Sequence, residues 1–183
     1  EKPSLQQLGK SFAIAALLLL AMGAGMAVRT YWLPGPGLQA VSEATTVADF
    51  SLPDLTGQTR RLSEFAGKTV VLNFWASWCG PCLEEMPDFI DLQNRYGNRG
   101  VQFLGVAVDD VTAAQNLATR LKLNYPSLVG DLEAMDIARQ LGNTAGVLPY
   151  TVIIGPDGKE RARLAGRADP VDLEAWLKAA ADR

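Results

Sequence analysis

Thr69-Val70-Val71-Leu72-Asn73-Phe74-Trp75 runs directly into Ala76-Ser77-Trp78-Cys79-Gly80-Pro81-Cys82, and this junction decides the fold. The first half is apolar and rich in β-branched side chains, the composition of a strand buried on both faces. The second half holds both cysteines of a 183-residue chain, two residues apart. Over residues 81 to 96, Leu83, Met86 and Ile90 recur at helical spacing, with Phe89 a little off the stripe, and Gly97 is expected to end the helix. The cysteines are therefore predicted at the carboxyl end of a strand and the start of a helix. Reacting groups of open α/β folds gather at that edge.

A helix N-terminus carries partial positive charge and free backbone N–H groups, which stabilise a thiolate. Cys79, just before the helix, is expected to be the more exposed thiol and the nucleophile; Cys82 lies inside the first turn. Pro81 fixes φ at an early helical position where a missing N–H costs little, holding the sulfurs within bonding reach. Three other uses of the pair fit less well. A disulfide across two residues removes little chain entropy, so it is a poor staple. A zinc half-site lacks two of its four ligands, because the chain has no His and no second Cys pair. Inert buried thiols do not need this position. A C-x-x-C beside a βα pattern reads as a redox motif.

The rest of the chain alternates in the same way. Residues 49–52 and 58–62 flank the turn Leu55-Thr56-Gly57 as a hairpin, and residues 62–65 begin a short helix. Residues 101–108, 127–129, 150–154 and 161–165 read as strands, and 112–123, 132–141 and 169–176 as helices. Gly155-Pro156-Asp157-Gly158 is a hairpin turn. Strands alternating with helices and closed by a hairpin imply an α/β fold, a mixed central sheet covered on both faces.

Residues 11–28 carry no charge and are bounded by Lys10 and Arg29. As a helix they would span roughly 27 Å, with Tyr31 and Trp32 placed to anchor one end. A retained membrane anchor over residues 1–33 is expected, with a cleaved signal peptide as the alternative. Lys2 and Lys10 before the span lean the N-terminus toward the cytoplasm. Residues 34–46, rich in Pro and Gly and then polar, read as a tether, and residues 47–183 as the working domain. Beyond residue 33 the chain has 14 basic and 19 acidic side chains and no basic run, which excludes an electrostatic footprint for nucleic acid.

Residues 74–82 resemble the active-site signature of the thioredoxin superfamily, in the variant found in membrane-anchored TlpA/ResA-like thiol:disulfide oxidoreductases. Pro87 resembles the proline inside the active-site helix of thioredoxins. Gly146-Val147-Leu148-Pro149-Tyr150-Thr151 resembles their cis-proline loop, and the long stretch 109–146 resembles the strand and helix insertion of TlpA-like proteins. Thioredoxin proper has a buried Asp six residues before its first cysteine; here Asn73 stands there, and an amide cannot accept a proton from the second thiol. The resemblance offers Glu85 instead, three residues after Cys82, as in the C-x-x-C-x-x-E pattern of ResA-like proteins. A first-turn acid favoured by the helix dipole is the other reading of Glu85, and the leading one for Glu84.

What the resemblance implies is a dithiol exchange. Cys79 attacks a substrate disulfide and Cys82, deprotonated with help from Glu85, resolves the mixed disulfide. A cis Pro149 would expose the Leu148 backbone to an extended substrate segment. Trp78, Gly80 and Pro81 border the same place, with packing an equal reading for Trp75 and Trp78. Gly-Pro between the cysteines resembles thioredoxin, at about −270 mV, more than the oxidant DsbA, at about −120 mV, and favours a reductase. The expected partners are a disulfide-containing protein substrate, with cytochrome c maturation as one setting, the membrane, and a transmembrane electron donor of the DsbD/CcdA type. No cofactor is expected beyond a redox-active Cys79–Cys82 disulfide, and no metal. A thiol peroxidase of this fold and a metal- or haem-handling module are the alternatives. The segment before Cys79 lacks the Pro and Thr of peroxiredoxins, and the chain lacks the distal His of copper chaperones.

Overall fold

The computed structural model describes residues 37–41 and 43–181. Its centre is β4 (Thr69–Trp75), every residue of which is buried. Such a strand must be covered on both faces and paired on both edges. β5 (Val101–Ala107) lies parallel to it on one side and β7 (Tyr150–Ile154) antiparallel on the other. β6 (Ser127–Val129) continues in parallel beyond β5; β8 (Glu160–Ala165) and then β1 (Gln39–Ala40) continue in antiparallel fashion beyond β7. The order is β1-β8-β7-β4-β5-β6. A separate hairpin, β2 (Ser51–Pro53) and β3 (Thr59–Arg61), is closed by Asp54, whose carboxylate accepts from the Thr56 and Gln58 amides.

Four α-helices cover the sheet among the described residues: α1 (Gly80–Tyr96), α2 (Val111–Leu121), α3 (Leu132–Gln140) and α4 (Pro170–Ala181). Alternation along β4 divides the core. Val70, Leu72 and Phe74 pack with Ala134 and Ala138 of α3. Val71 packs with Phe89 and Leu92 of α1 and Leu173 and Leu177 of α4. Trp75 meets Cys79, Cys82 and Met86 of the α1 end, with Ala114 and Leu117 of α2. Burying each of these large side chains stabilises the fold by about 1.5–3 kcal/mol, so the cysteines rest on a floor held rigidly by packing. Because β4, β5, β6 and β8 all run the same way, the segments after each of them converge on one edge, and Pro149 enters β7 there.

α1 ends at Tyr96 with Gly97 as its C-cap, where the sequence places the end; Gly97 keeps right-handed angles, φ −56° and ψ −41°, and a 3-10 turn over Gly97–Arg99 follows, closed by Gly100 at φ 80°, a left-handed angle that glycine adopts without strain. Within the stretch read as a tether, Gln39–Ala40 instead pairs with Arg163 and Ala162 as the sheet's edge strand. A sequence rich in Pro and Gly gives no apolar alternation to signal such pairing. The expected anchor over residues 1–33 lies outside the described residues; among those described, no helix is long and apolar enough to cross a membrane.

Beneath the cysteine loop the Trp75 indole N–H donates to Ser127 Oγ at 3.1 Å, bridging β4 and β6 across β5. Gly105 makes the room: a Cβ there would lie 2.7 Å from both Ser127 Oγ and Trp75 Nε1. Gly105→Ala is expected to lower unfolding free energy by about 1–3 kcal/mol through overpacking, measured by denaturant titration; an unchanged midpoint would show that β6 yields freely.

Candidate active site

The loop from β4 into α1 is held from below before the cysteines appear. The Val108 N–H donates to the Trp75 carbonyl, the Cys79 N–H to the Ala76 carbonyl, and the Ser77 N–H to Asp109 Oδ2 at 2.7 Å. Cys79 is the N-cap of α1, with extended angles of φ −90° and ψ 101°, and its sulfur accepts the Cys82 N–H at 3.3 Å. A helix N-cap ordinarily holds an oxygen in that place. The two cysteines are disulfide-bonded, their Cα atoms 5.3 Å apart. Cys79 is 6 % exposed and Cys82 fully buried. In the reduced protein the same N–H and the helix dipole favour a thiolate on Cys79.

The surroundings separate residues that were alike in sequence. Trp75 is wholly buried, whereas Trp78 is 70 % exposed beside Cys79. Gly80 and Pro81 are exposed as well. The Leu148–Pro149 bond is cis, the geometry that the resemblance implies. Pro149 is buried and its carbonyl accepts the Gly166 N–H at 2.8 Å. Leu148 is half-buried, and among the described residues no hydrogen bond claims its backbone. Both backbone groups of the preceding Val147 are held by Asn143, which donates to its carbonyl at 2.8 Å and accepts its N–H at 3.0 Å. Asn143, buried in a loop, had no pattern to announce it.

Glu85 points inward and is completely buried, while Glu84 is exposed and pairs with Arg167 at 3.1 Å. Glu85 Oε1 accepts from Asn73 Nδ2 at 2.8 Å, and Oε2 from the Ala168 N–H at 2.9 Å. Asn73 Nδ2 also donates to Thr151 Oγ1 at 3.1 Å. Cys82 and Glu85 both face inward from α1, and residues three apart on a helix have Cβ atoms about 5–6 Å apart. Burial pushes the Glu85 carboxyl up to about 7; the Ala168 N–H, the Asn73 amide and the charge of Arg167 pull it down, and Asp88 adds to the rise. A carboxyl near neutrality both takes and returns a proton readily. Ala168, a backbone donor, and Thr151 carry no sequence signal of this part. Among the described residues no cluster of His, Cys, Asp and Glu could hold a metal ion.

Residues 44–163 match the model of the AhpC/TSA family. The chain is 33% identical over 165 residues to the thiol-disulfide oxidoreductase ResA of Geobacillus kaustophilus, covering 90% of this chain and 91% of that protein. It is 30% identical over 145 residues to the ResA of Bacillus subtilis, with 78% of each covered. A thioredoxin-family thiol:disulfide interchange protein from Chlorobium tepidum shares the fold, with a TM-score of 0.68 at 24% identity and coverage of 78% of this chain and 99% of that one. Mycobacterium tuberculosis DsbF superposes with a TM-score of 0.62 at 26% identity, covering 71% and 93%.

The raised Glu85 pKa couples folding to pH through the proton on that carboxyl. The folded protein binds this proton more tightly than an unfolded chain with a carboxyl near 4.5, so Glu85 adds stability that is full below about 4.5 and lost as pH rises through about 7. Over that window the wild type is expected to lose about 3 kcal/mol relative to Glu85→Gln, read by denaturant unfolding of the oxidised proteins at several pH values. A difference independent of pH would mean the carboxyl is ionised throughout.

Proposed function

The chain belongs to the AhpC/TSA family and is a thioredoxin-like thiol-disulfide oxidoreductase, and from that premise we propose that it reduces disulfides of protein substrates outside the cytoplasm, anchored by its N-terminal apolar run. The observation that carries this reading is the pairing of a Cys79 N-cap sulfur with a buried Glu85 one helical turn past Cys82. Cys79 thiolate attacks one sulfur of the substrate disulfide; a Cys79–substrate bond forms and the other substrate sulfur leaves as a thiolate. The Cys82 thiol then gives its proton to Glu85, and the Cys82 thiolate attacks Cys79 Sγ. The Cys79–Cys82 bond forms, the bond to substrate breaks, and the second substrate thiolate departs. The enzyme loses the two electrons that the substrate gains.

The unclaimed Leu148 backbone beside the cis Pro149 supports docking of an extended substrate segment, with exposed Trp78, Gly80 and Pro81 bordering it. Gly80-Pro81 between the cysteines supports the reducing direction, and a reductase in an oxidising compartment needs electrons, for which a transmembrane donor of the DsbD/CcdA type is the proposed source. The uncharged residues 11–28 support the anchor. Cytochrome c maturation is the setting we propose, with apocytochrome c as the substrate.

Trapping tests the exchange. Cys82→Ala is expected to accumulate a mixed disulfide through Cys79 with a disulfide-bonded client, whereas Cys79→Ala forms none. A trap on Cys82, or peroxide consumption by the reduced wild type at the rate of disulfide reduction, would overturn the reading.

A further inference from the structure

Asn73 stands on β4 between Val71 and Trp75, buried at 1 % exposure. Both of its contacts use one end of the amide. Nδ2 donates to Glu85 Oε1 and to Thr151 Oγ1, while Oδ1, equally buried, has no donor. An orphaned buried carbonyl costs about 1–3 kcal/mol, so something must favour this orientation over its reverse. The two ends of a carboxamide are nearly equal in size, and a half-turn exchanges them without repacking. What selects the present orientation is an ionised Glu85, which offers acceptors only.

A proton on Glu85 changes that demand, because the carboxyl then has an O–H to place. Its surroundings are few. From α1 come Cys82 and the charge of Asp88; from the loop before α4 come the Ala168 N–H, already on Oε2, and the charge of Arg167. From β7 comes Thr151, whose hydroxyl can either donate or accept. Tyr125, before β6, feels the charge of Glu85 but makes no hydrogen bond to it, and burial pushes its hydroxyl well up. An acceptor without a donor stands on the same amide that already meets Oε1: it is Oδ1 of Asn73.

We propose that Asn73 is a positioning residue for Glu85 whose carboxamide turns over with the proton: Nδ2 donates to the ionised carboxylate, and Oδ1 accepts from the protonated carboxyl. Thr151 reverses with it, accepting in the first state and donating in the second. Turning over exchanges the two bonds of Nδ2 for two to Oδ1, from the Glu85 O–H and the Thr151 hydroxyl, so the number is unchanged and the orphaned end passes from Oδ1 to Nδ2. The carboxyl thus stays fixed beside Cys82 while its charge changes. This rests on the reading of Glu85 as the base for Cys82. It also gives a physical reason for an amide at this position: a carboxylate here would face Glu85 at hydrogen-bond distance, and two such groups cannot both ionise.

The test is NMR on the full oxidised chain in detergent micelles, following the Asn73 side-chain amide and the Glu85 carboxyl carbon from about pH 5 to about pH 9, a span wide enough to bracket the titration of a buried carboxyl. The Asn73 amide resonances are expected to move with the same midpoint as the Glu85 carbon. Asn73 resonances that stay put through a completed Glu85 titration would overturn the proposal. In Asn73→Asp the two carboxyls should share one proton, raising the upper midpoint by about 2 units and slowing mixed-disulfide resolution near neutral pH roughly 100-fold. An unmoved midpoint would again overturn it. Glu85→Gln separates the two readings: resolution at the wild-type rate in that variant would sink Glu85 as the base, whereas the titration link between Asn73 and Glu85 is decided by the NMR alone.

Discussion

A single carboxyl group taken out of water governs the arrangement. Glu85 on α1 is gripped by the Asn73 amide from β4 and the Ala168 N–H from the loop before α4. Burying an ion costs several kcal/mol unless its oxygens are met, so these bonds tie helix, strand and loop to one point. That point lies one helical turn beyond Cys82. The loop is committed in turn to the substrate side, since the Gly166 N–H binds the carbonyl of cis Pro149. Two donors are too few to restore full ionisation, and the residual cost appears as the carboxyl's rise to about 7.

The second constraint is positional. The strand that ends at Trp75 and the helix that begins at Gly80 leave four residues between them, and Cys79 occupies the N-cap. Its sulfur then receives an amide N–H that an oxygen would otherwise take. The acid/base group has to come from elsewhere in the site. In the mechanism proposed above the helix supplies it as Glu85, and the strand supplies Asn73, a partner without charge. The two cysteines share an apolar floor but differ in place: Cys79 caps the helix at its edge, and Cys82 is enclosed within it.

Much of this was legible because the physics was local. Six apolar, β-branched or aromatic residues with one Asn among them, placed before two cysteines, named β4, and Pro81 with the stripe Leu83, Met86 and Ile90 named α1. Glu85 and the Leu148–Pro149 bond were reached through resemblance, since spacing alone left a dipole-favoured acid equally open. What stayed hidden was long-range. The Ala168 N–H lies 83 residues from Glu85, and a backbone donor has no side chain to announce it. Asn143 reads as any loop amide until it is seen to clasp Val147 at both ends. Trp75 and Trp78 differ in burial only because the strand ends between them. Gly97 caps α1 where the sequence placed its end, but the left-handed angle comes three residues later, at Gly100, which no pattern announced.

The proposed exchange depends on Glu85 as the group that takes the Cys82 proton. The most direct measurement is the pH profile of the resolution step, followed by rapid acid quench of a preformed mixed disulfide in the wild type and in Glu85→Gln. The wild-type rate should climb with a midpoint near the carboxyl's own, about 7, and then level. The variant should lose that inflection and fall by about 10²–10⁴-fold at the plateau. Superimposable profiles in the two proteins would contradict the account and return Glu85 to the role of a buried structural acid.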